Sequence, residues 1–240
     1  MAHQPNTMKS IAIITARGGS KRIPGKNIRN FLGKPILAYS IETALKSGIF
    51  DEVMVSTDSQ EIAEVSKKYG ANIPFMRSKK NSSDTATTGQ ALFEVIEFYK
   101  NMGQIYEYGC CIYPTAPFIT PARLIEAYSM IQRPNTNVVI PIVKFPSPVM
   151  WALEKNNDNE IRFRWPENEF KRSQELDELY YDAGQFYFFN IDKFLLTNSL
   201  YTSTSVGLTI SENEVQDIDT DHDWQMAEMK YVLLNNNNGV

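Results

Sequence analysis

Between positions 16 and 27 the chain reads Ala16-Arg17-Gly18-Gly19-Ser20-Lys21-Arg22-Ile23-Pro24-Gly25-Lys26-Asn27. Glycines let backbone amides approach an anion and point at it. Arg17, Lys21, Arg22 and Lys26 place four cationic side chains within ten residues, and Ser20 adds a hydroxyl donor. That density of charge-assisted donors suits a triphosphate. The loop is not the P-loop NTPase motif, because Ser20 and Asn27 stand where that motif needs Gly and Ser or Thr. Nor does Gly18-Gly19-Ser20 give the spacing of the dinucleotide fingerprint. A nucleotidyltransferase reading survives both exclusions.

A second group of reactive types lies late in the chain, at Asp217-Ile218-Asp219, followed by Asp221 and Asp223. Alternate residues of an extended segment face the same way, so Asp217 and Asp219 suit one divalent ion. Magnesium favours a couple of carboxylates completed by substrate phosphates and water, and manganese accepts the same donors. Asp221 and Asp223 read instead as acids at a helix N-terminus, where the dipole favours them. His222 stands alone, without ligand spacing.

These groups need a scaffold. Ser10–Ala16 is an Ile-rich buried strand entering the basic loop, and Pro35–Ser47 has helical spacing that stops at Gly48. Further strands are expected at Glu52–Thr57, Asn72–Met76, Tyr108–Tyr113, Asn137–Val143 and Ala183–Asn190. Helices are expected at Ser59–Tyr69, Thr87–Asn101, Pro121–Gln132 and Asp221–Leu234. Alternating short βα units imply an α/β fold, a mainly parallel sheet with helices on both faces. Ligands of such sheets sit beyond the carboxyl ends of the strands, which puts the Arg17–Asn27 loop at the site. From Pro146 to Asp177 the periodicity fails, while Trp151, Phe163, Trp165 and Phe170 accumulate. That segment, 146–177, reads as an inserted arm, a β-ribbon whose apolar surface meets another chain.

The 240 residues suffice for one domain, expected over 8–234, with flexible termini at 1–7 and 235–240. A net charge of −4 argues against nucleic-acid binding, and no apolar stretch is long enough for a membrane span. The two cysteines, Cys110 and Cys111, are adjacent in an apolar run and read as core thiols, so a cytoplasmic protein is expected.

Taken together, the basic loop, Val55-Ser56-Thr57-Asp58, Arg77, Asp84-Thr85-Ala86, Pro114-Thr115-Ala116-Pro117 and Asp217-Ile218-Asp219 resemble the acylneuraminate cytidylyltransferases, the CMP-sialic acid synthetase family. The resemblance spans Met8 to about Val232. It implies a Rossmann-like fold and a homodimer in which the arm reaches the partner's site. It implies that Ala16, Arg17, Gly18, Gly19, Ser20, Lys26 and Asn27 hold CTP, with Arg17 and Lys26 catalytic. It also implies that Arg77 and Thr88 touch cytidine or sugar, and that Asp217 and Asp219 bind magnesium. One departure is Tyr113, where sialic acid synthetases usually carry Gln. Arg172-Ser173-Gln174-Glu175-Leu176 and the Tyr181-Asp182-Ala183-Gly184-Gln185-Phe186-Tyr187 run resemble the pseudaminic acid branch. Tyr113, Arg172 and Gln185 are therefore the expected sugar contacts. The resemblance therefore implies an acidic nine-carbon acceptor sugar, pseudaminate before N-acetylneuraminate, legionaminate or another ulosonate. The reading of a different class is a non-catalytic CTP-sensing module, which binds CTP without releasing pyrophosphate.

Overall fold

A computed structural model describes residues 9–237 of the chain. Strand β1 (Ser10–Thr15) leads into the basic loop. A short hairpin of β2 (Asn30–Phe31) and β3 (Lys34–Pro35) turns through Leu32 and Gly33, both at positive φ, and feeds helix α1 (Ile36–Ser47). Gly48, at φ 66°, ends α1 in the left-handed conformation that glycine adopts without strain. Strand β4 (Glu52–Ser56) and helix α2 (Gln60–Lys68) follow, with Ser59 capping α2 through Ile62 N. Helix α3 (Thr88–Asn101) starts at a capping box made by Thr87 and Gln90. Then come β5 (Tyr108–Ile112), α4 (Pro121–Ile131) and β6 (Val138–Lys144).

The segment expected as an arm contains a hairpin of β7 (Leu153–Lys155) and β8 (Ile161–Phe163), so its ribbon character is present. The chain returns through β9 (Tyr180–Asp182) and β10 (Phe186–Asn190), then α5 (Ile191–Thr197), β11 (Ser205–Thr209) and α6 (Asp221–Asn237).

Strand order in the main sheet is β11-β6-β10-β5-β1-β4, with β9 beside β6. β1 pairs in parallel with both β4 and β5, and β11 with β6. β10 is antiparallel to β5 and β6, so β6 runs with β1, and the sheet is mainly parallel with β9 and β10 reversed. Alternation along β1 divides the core. Ala12 and Ile14 pack with Leu37 and Ile41 of α1 and Leu124 of α4. Ile11 and Ile13 pack with Leu92 and Val95 of α3 and Phe194 of α5. Helices thus cover both faces, and Cys110 and Cys111, fully buried, fall on opposite ones.

Gly109 of β5 faces Phe189 of β10, and an added Cβ there collides with the Phe189 ring. Gly109→Ala is expected to destabilise the fold by about 1–3 kcal/mol through overpacking, read as a lower melting temperature. An unchanged melting curve refutes this account of the contact.

Two expectations need correction. Asn72–Met76 is not a strand: one bridge, Met54 to Asn72, forms, and Pro74, which has no N–H to donate, follows in a bent segment. The final helix does not stop at Leu234 but continues to Asn237, with Asn235 Nδ2 donating to the Tyr231 carbonyl at 2.8 Å. The expected flexible residues 1–7 and 238–240 lie outside the described residues.

A third cluster, around Phe31, Tyr39, Phe118, Ile218 and Trp224, joins the β2–β3 hairpin to α6. Phe31 meets Trp224 edge-on at 5.6 Å and Tyr231 at 5.7 Å. This aromatic knot brings the late acidic residues across from the basic loop.

Candidate functional site

The basic loop leaves the sheet at the carboxyl end of β1, where Ala16 is buried and its amide donates to the Ser56 carbonyl at 3.0 Å. Asn27 closes the loop, its Nδ2 donating to the Arg17 carbonyl at 2.9 Å. Gly25, at φ 64°, makes the left-handed turn that enters the helical turn Lys26–Ile28. The loop borders a cavity of about 590 Å³ lined by Arg17, Ser20, Lys21, Arg22, Lys26, Asn27, Arg77, Thr88 and Tyr113. Pro114 and Thr115 complete the wall beyond β5.

Carboxylates already neutralise these cations. Asp84 accepts from Arg17 at 3.0 Å and pairs with Lys21 at 2.5 Å, and these partners hold its carboxyl below the usual range. Asp219 pairs with Lys26 at 3.6 Å and with Arg22. The Lys26 side chain is only 15% exposed, so its charge is far better shielded from water than that of Lys21, at 78%. Ile218 is buried in the aromatic cluster, which leaves Asp217 exposed and Asp219 half-buried on the other side of the segment.

Not every expected residue faces the cavity. The Gly18 amide donates to Asp58 Oδ1 at 2.8 Å, and a Cβ on Gly18 would meet Ser59 Cβ at 3.0 Å. Gly18 therefore lets the loop pack onto the start of α2, whereas Gly19 has open space beside it. Arg77 lines the cavity but is buried. Its Nε donates to Ser56 Oγ at 2.9 Å and its backbone amide to the Thr57 carbonyl at 2.8 Å; desolvation lowers the pKa of its guanidinium. Gln185 is buried outside the cavity lining, its Nε2 donating to the Glu214 carbonyl, so in this chain it acts as a tie between β10 and the acidic segment. Arg172 is exposed on the arm and does not enter the lining of its own chain's cavity.

A family model described as Cytidylyltransferase matches residues 11–230. The chain is 42% identical over 225 residues to the pseudaminic acid cytidylyltransferase of Campylobacter jejuni strain 81-176, covering 93% of this chain and 97% of that one. The chain belongs to the cytidylyltransferase family. It is also 31% identical to the CMP-N,N'-diacetyllegionaminic acid synthase of Legionella pneumophila, across 95% and 98% of the two chains. Among solved structures, a CMP:2-keto-3-deoxy-manno-octonic acid synthetase complexed with CTP superposes with a TM-score of 0.68 at 17% identity, over 95% of this chain and 99% of that one. That likeness shows the shared Rossmann-like fold.

Within this cytidylyltransferase, two carboxylates that contact the basic loop escaped the sequence reading as site residues: Asp58 and Asp84. Asp58 lies just beyond the carboxyl end of β4, where the sheet rule directs attention, but its bond to the Gly18 amide crosses forty positions. Asp84 carries no local pattern that announces two cationic partners.

The acidic segment has its own tether. Arg123 of α4 donates Nε and Nη2 to the two oxygens of Glu214, at 2.9 and 2.8 Å. This fork holds the Glu214 carboxyl below its usual range. A depressed carboxylate stabilises the fold above its unfolded pKa of about 4.3, and that contribution fades as pH falls through the folded value. Glu214→Gln is therefore expected to lower the melting temperature at pH 7 and to reduce the difference from wild type below about pH 4. A constant difference across that range, in melting curves from pH 3 to 7, refutes the assignment.

Proposed function

We propose that this cytidylyltransferase transfers CMP from CTP to the anomeric hydroxyl of pseudaminate, releasing pyrophosphate. The observation that carries the reading is the ion pair, at 3.6 Å, between Asp219 and Lys26, which lines the cavity at the end of β1 beside Arg17, Lys21 and Arg22. The 42% identity to a pseudaminic acid cytidylyltransferase over nearly the whole chain supports the choice of sugar.

The acceptor hydroxyl attacks the α-phosphorus of CTP and loses its proton to solvent, while the bond from phosphorus to the pyrophosphate oxygen breaks and pyrophosphate leaves. Such a transfer asks the protein for alignment and for cancellation of developing charge. Lys26 and Arg17 take the α-phosphate oxygens, and Ser20, Lys21 and Arg22 take the outer phosphates. Gly19 leaves room for the phosphates, while Asn27, Gly18 and Ala16 hold the loop's shape. Arg77 and Thr88 border the cytidine and sugar end.

The donor set fits magnesium or manganese. Asp217 and Asp219 offer hard oxygen ligands on one side of the segment, with Ile218 anchored opposite. Among the described residues no three acidic, His or Cys side chains gather in a way that could hold a metal ion, so the two carboxylates would hold one only together with substrate phosphate oxygens and water. When bound, the ion offsets charge on the phosphate oxygens. Asp219 also pairs with Lys26 and Arg22, two of the cations assigned here to the phosphates.

The active form is proposed as a homodimer. Phe170 is 91% exposed on the arm, with Ile161 at 64% and Leu153 at 51%, an apolar surface suited to a second copy. In that assembly Arg172 serves the neighbouring site, where its guanidinium suits the sugar carboxylate. We place the enzyme in the cytoplasm on its two free, buried cysteines; no described helix is long and apolar enough to cross a membrane.

The test is a pyrophosphate-release assay with CTP, magnesium and a panel of acidic sugars. Pseudaminate is expected to give the highest kcat/KM. Preferred turnover of legionaminate or N-acetylneuraminate overturns the choice of sugar, and CTP binding without pyrophosphate release overturns the enzymatic reading.

A further inference from the structure

One carboxylate ties together two stretches that line the cavity. Arg17 and Lys21 belong to the basic loop, while Ser83 and Asp84 lie between the helical turn Lys80–Ser82 and α3. Asp84 Oδ1 accepts from Arg17 Nη1 at 3.0 Å, and its Oδ2 stands 2.5 Å from Lys21 Nζ. Arg17 Nη1 also reaches the Ser83 carbonyl at 3.5 Å. Two oxygens on one centre, each meeting a different cation, make the pattern that a phosphate group makes with such side chains.

The tie is of a kind that a more highly charged anion displaces. Arg17 offers Asp84 a single nitrogen, and the Lys21 and Asp84 side chains are 78% and 52% exposed. Ion pairs this open to water are weak. The pair of Arg123 with Glu214 shows the contrast, since there two guanidinium nitrogens meet both oxygens and the partners are better enclosed. Lys21 first, and then Arg17, hold the Asp84 carboxyl below its usual range, so it is an anion at neutral pH.

We propose that Asp84 is a counter-ion that competes with phosphate for Arg17 and Lys21, so that CTP takes both cations from it and it takes them back as pyrophosphate leaves. This rests on the function proposed above, which assigns both cations to the phosphates. A phosphate oxygen bonded to Arg17 Nη1 or Lys21 Nζ contends with Asp84 for the same protons, and the two anions repel each other at that distance. Asp84 therefore loosens the hold on every phosphorylated ligand, and most on the most highly charged. Its effect on the reaction falls on release: the two cations find a partner again as pyrophosphate departs, so they do not retain the product.

Calorimetry without metal compares wild type, Asp84→Asn, Asp84→Ala and Asp84→Glu, with cytidine, CMP, CTP and pyrophosphate as ligands. The Asn and Ala variants remove the charge at an exposed position, and melting curves report that they are folded. Both are expected to bind CTP and pyrophosphate about tenfold more tightly, the effect of one repulsive charge fewer beside the site. The gain should be smaller for CMP, absent for cytidine, which carries no phosphate, and reduced at high salt. Asp84→Glu restores the charge and is expected to bind all four ligands much as wild type does. In the transfer assay, inhibition by added pyrophosphate should strengthen about tenfold in Asp84→Asn, in step with its affinity. Pyrophosphate affinity that stays at the wild-type value or falls in the uncharged variants overturns the competition. A change of the same size for cytidine also overturns it, by showing that Asp84 shapes the cavity instead. Wild type that transfers CMP while these variants show no gain leaves the proposed reaction standing; wild type that binds neither CTP nor pyrophosphate overturns both.

Discussion

Lys26→Ala is expected to lower kcat by about 10²-fold or more, the loss seen when a preorganised transition-state donor is removed. At about 1.4 kcal/mol per factor of ten, that is roughly 2.7 kcal/mol of lost stabilisation. Lys26 stands apart from the other loop cations because its side chain is nearly enclosed and its partner is Asp219, not the exposed Asp84. A shielded charge acts with less screening than one in water. If Lys26 meets charge that appears only as pyrophosphate leaves, kcat and kcat/KM fall together and KM for CTP moves little. Lys26→Arg should not restore the rate, because the planar fork is a different shape from the ammonium it replaces. Steady-state kinetics with saturating sugar decides the matter: wild-type turnover in the alanine variant removes Lys26 from the mechanism.

Replacing Asp217 and Asp219 together by Asn should abolish both turnover, by about 10²-fold or more, and its dependence on magnesium. The substitution keeps side-chain size and leaves Ile218, the anchor of the segment, in place. It removes two negative charges beside the triphosphate site, so CTP alone should bind at least as tightly as to wild type. Calorimetry without metal, followed by pyrophosphate release with graded magnesium, separates these effects. A double variant that remains active and responds to magnesium as wild type does would show that the ion binds elsewhere. Loss of CTP binding would show that the carboxylates shape the pocket.

The strand-to-loop junction at Thr15–Arg17 and the helices α1 to α4 were legible because their signals are local. Ser59, Thr87 and Thr120 cap where their side chains can reach the next turn, and Gly48 ends α1 where its missing Cβ is needed. The reversed direction of β10 was not legible, since Phe186–Asn190 is an apolar run that reads alike for either orientation. Helix α5, seven residues long, is too short for a clear period. In the site, the clustering of Arg17, Lys21, Arg22 and Lys26 was visible as sequence neighbours. Their carboxylate partners lie 63 to 197 positions away and were visible only as folded geometry. Gln185 shows the opposite difficulty: a polar side chain beside a pocket-forming turn looks like a contact, yet its amide satisfies the Glu214 carbonyl.

The contact of Phe31 with Trp224 and Tyr231 ties the first tenth of the described chain's fold to its last helix. During synthesis the phosphate loop and most of the sheet leave the ribosome long before α6 does. Until that helix emerges and its Trp224 finds Phe31, Asp219 has no fixed place beside Lys26. A nascent chain can therefore hold a nearly finished sheet while its acidic segment is still unplaced, and the pairing of Asp219 with Lys26 arrives late, with the docking of α6.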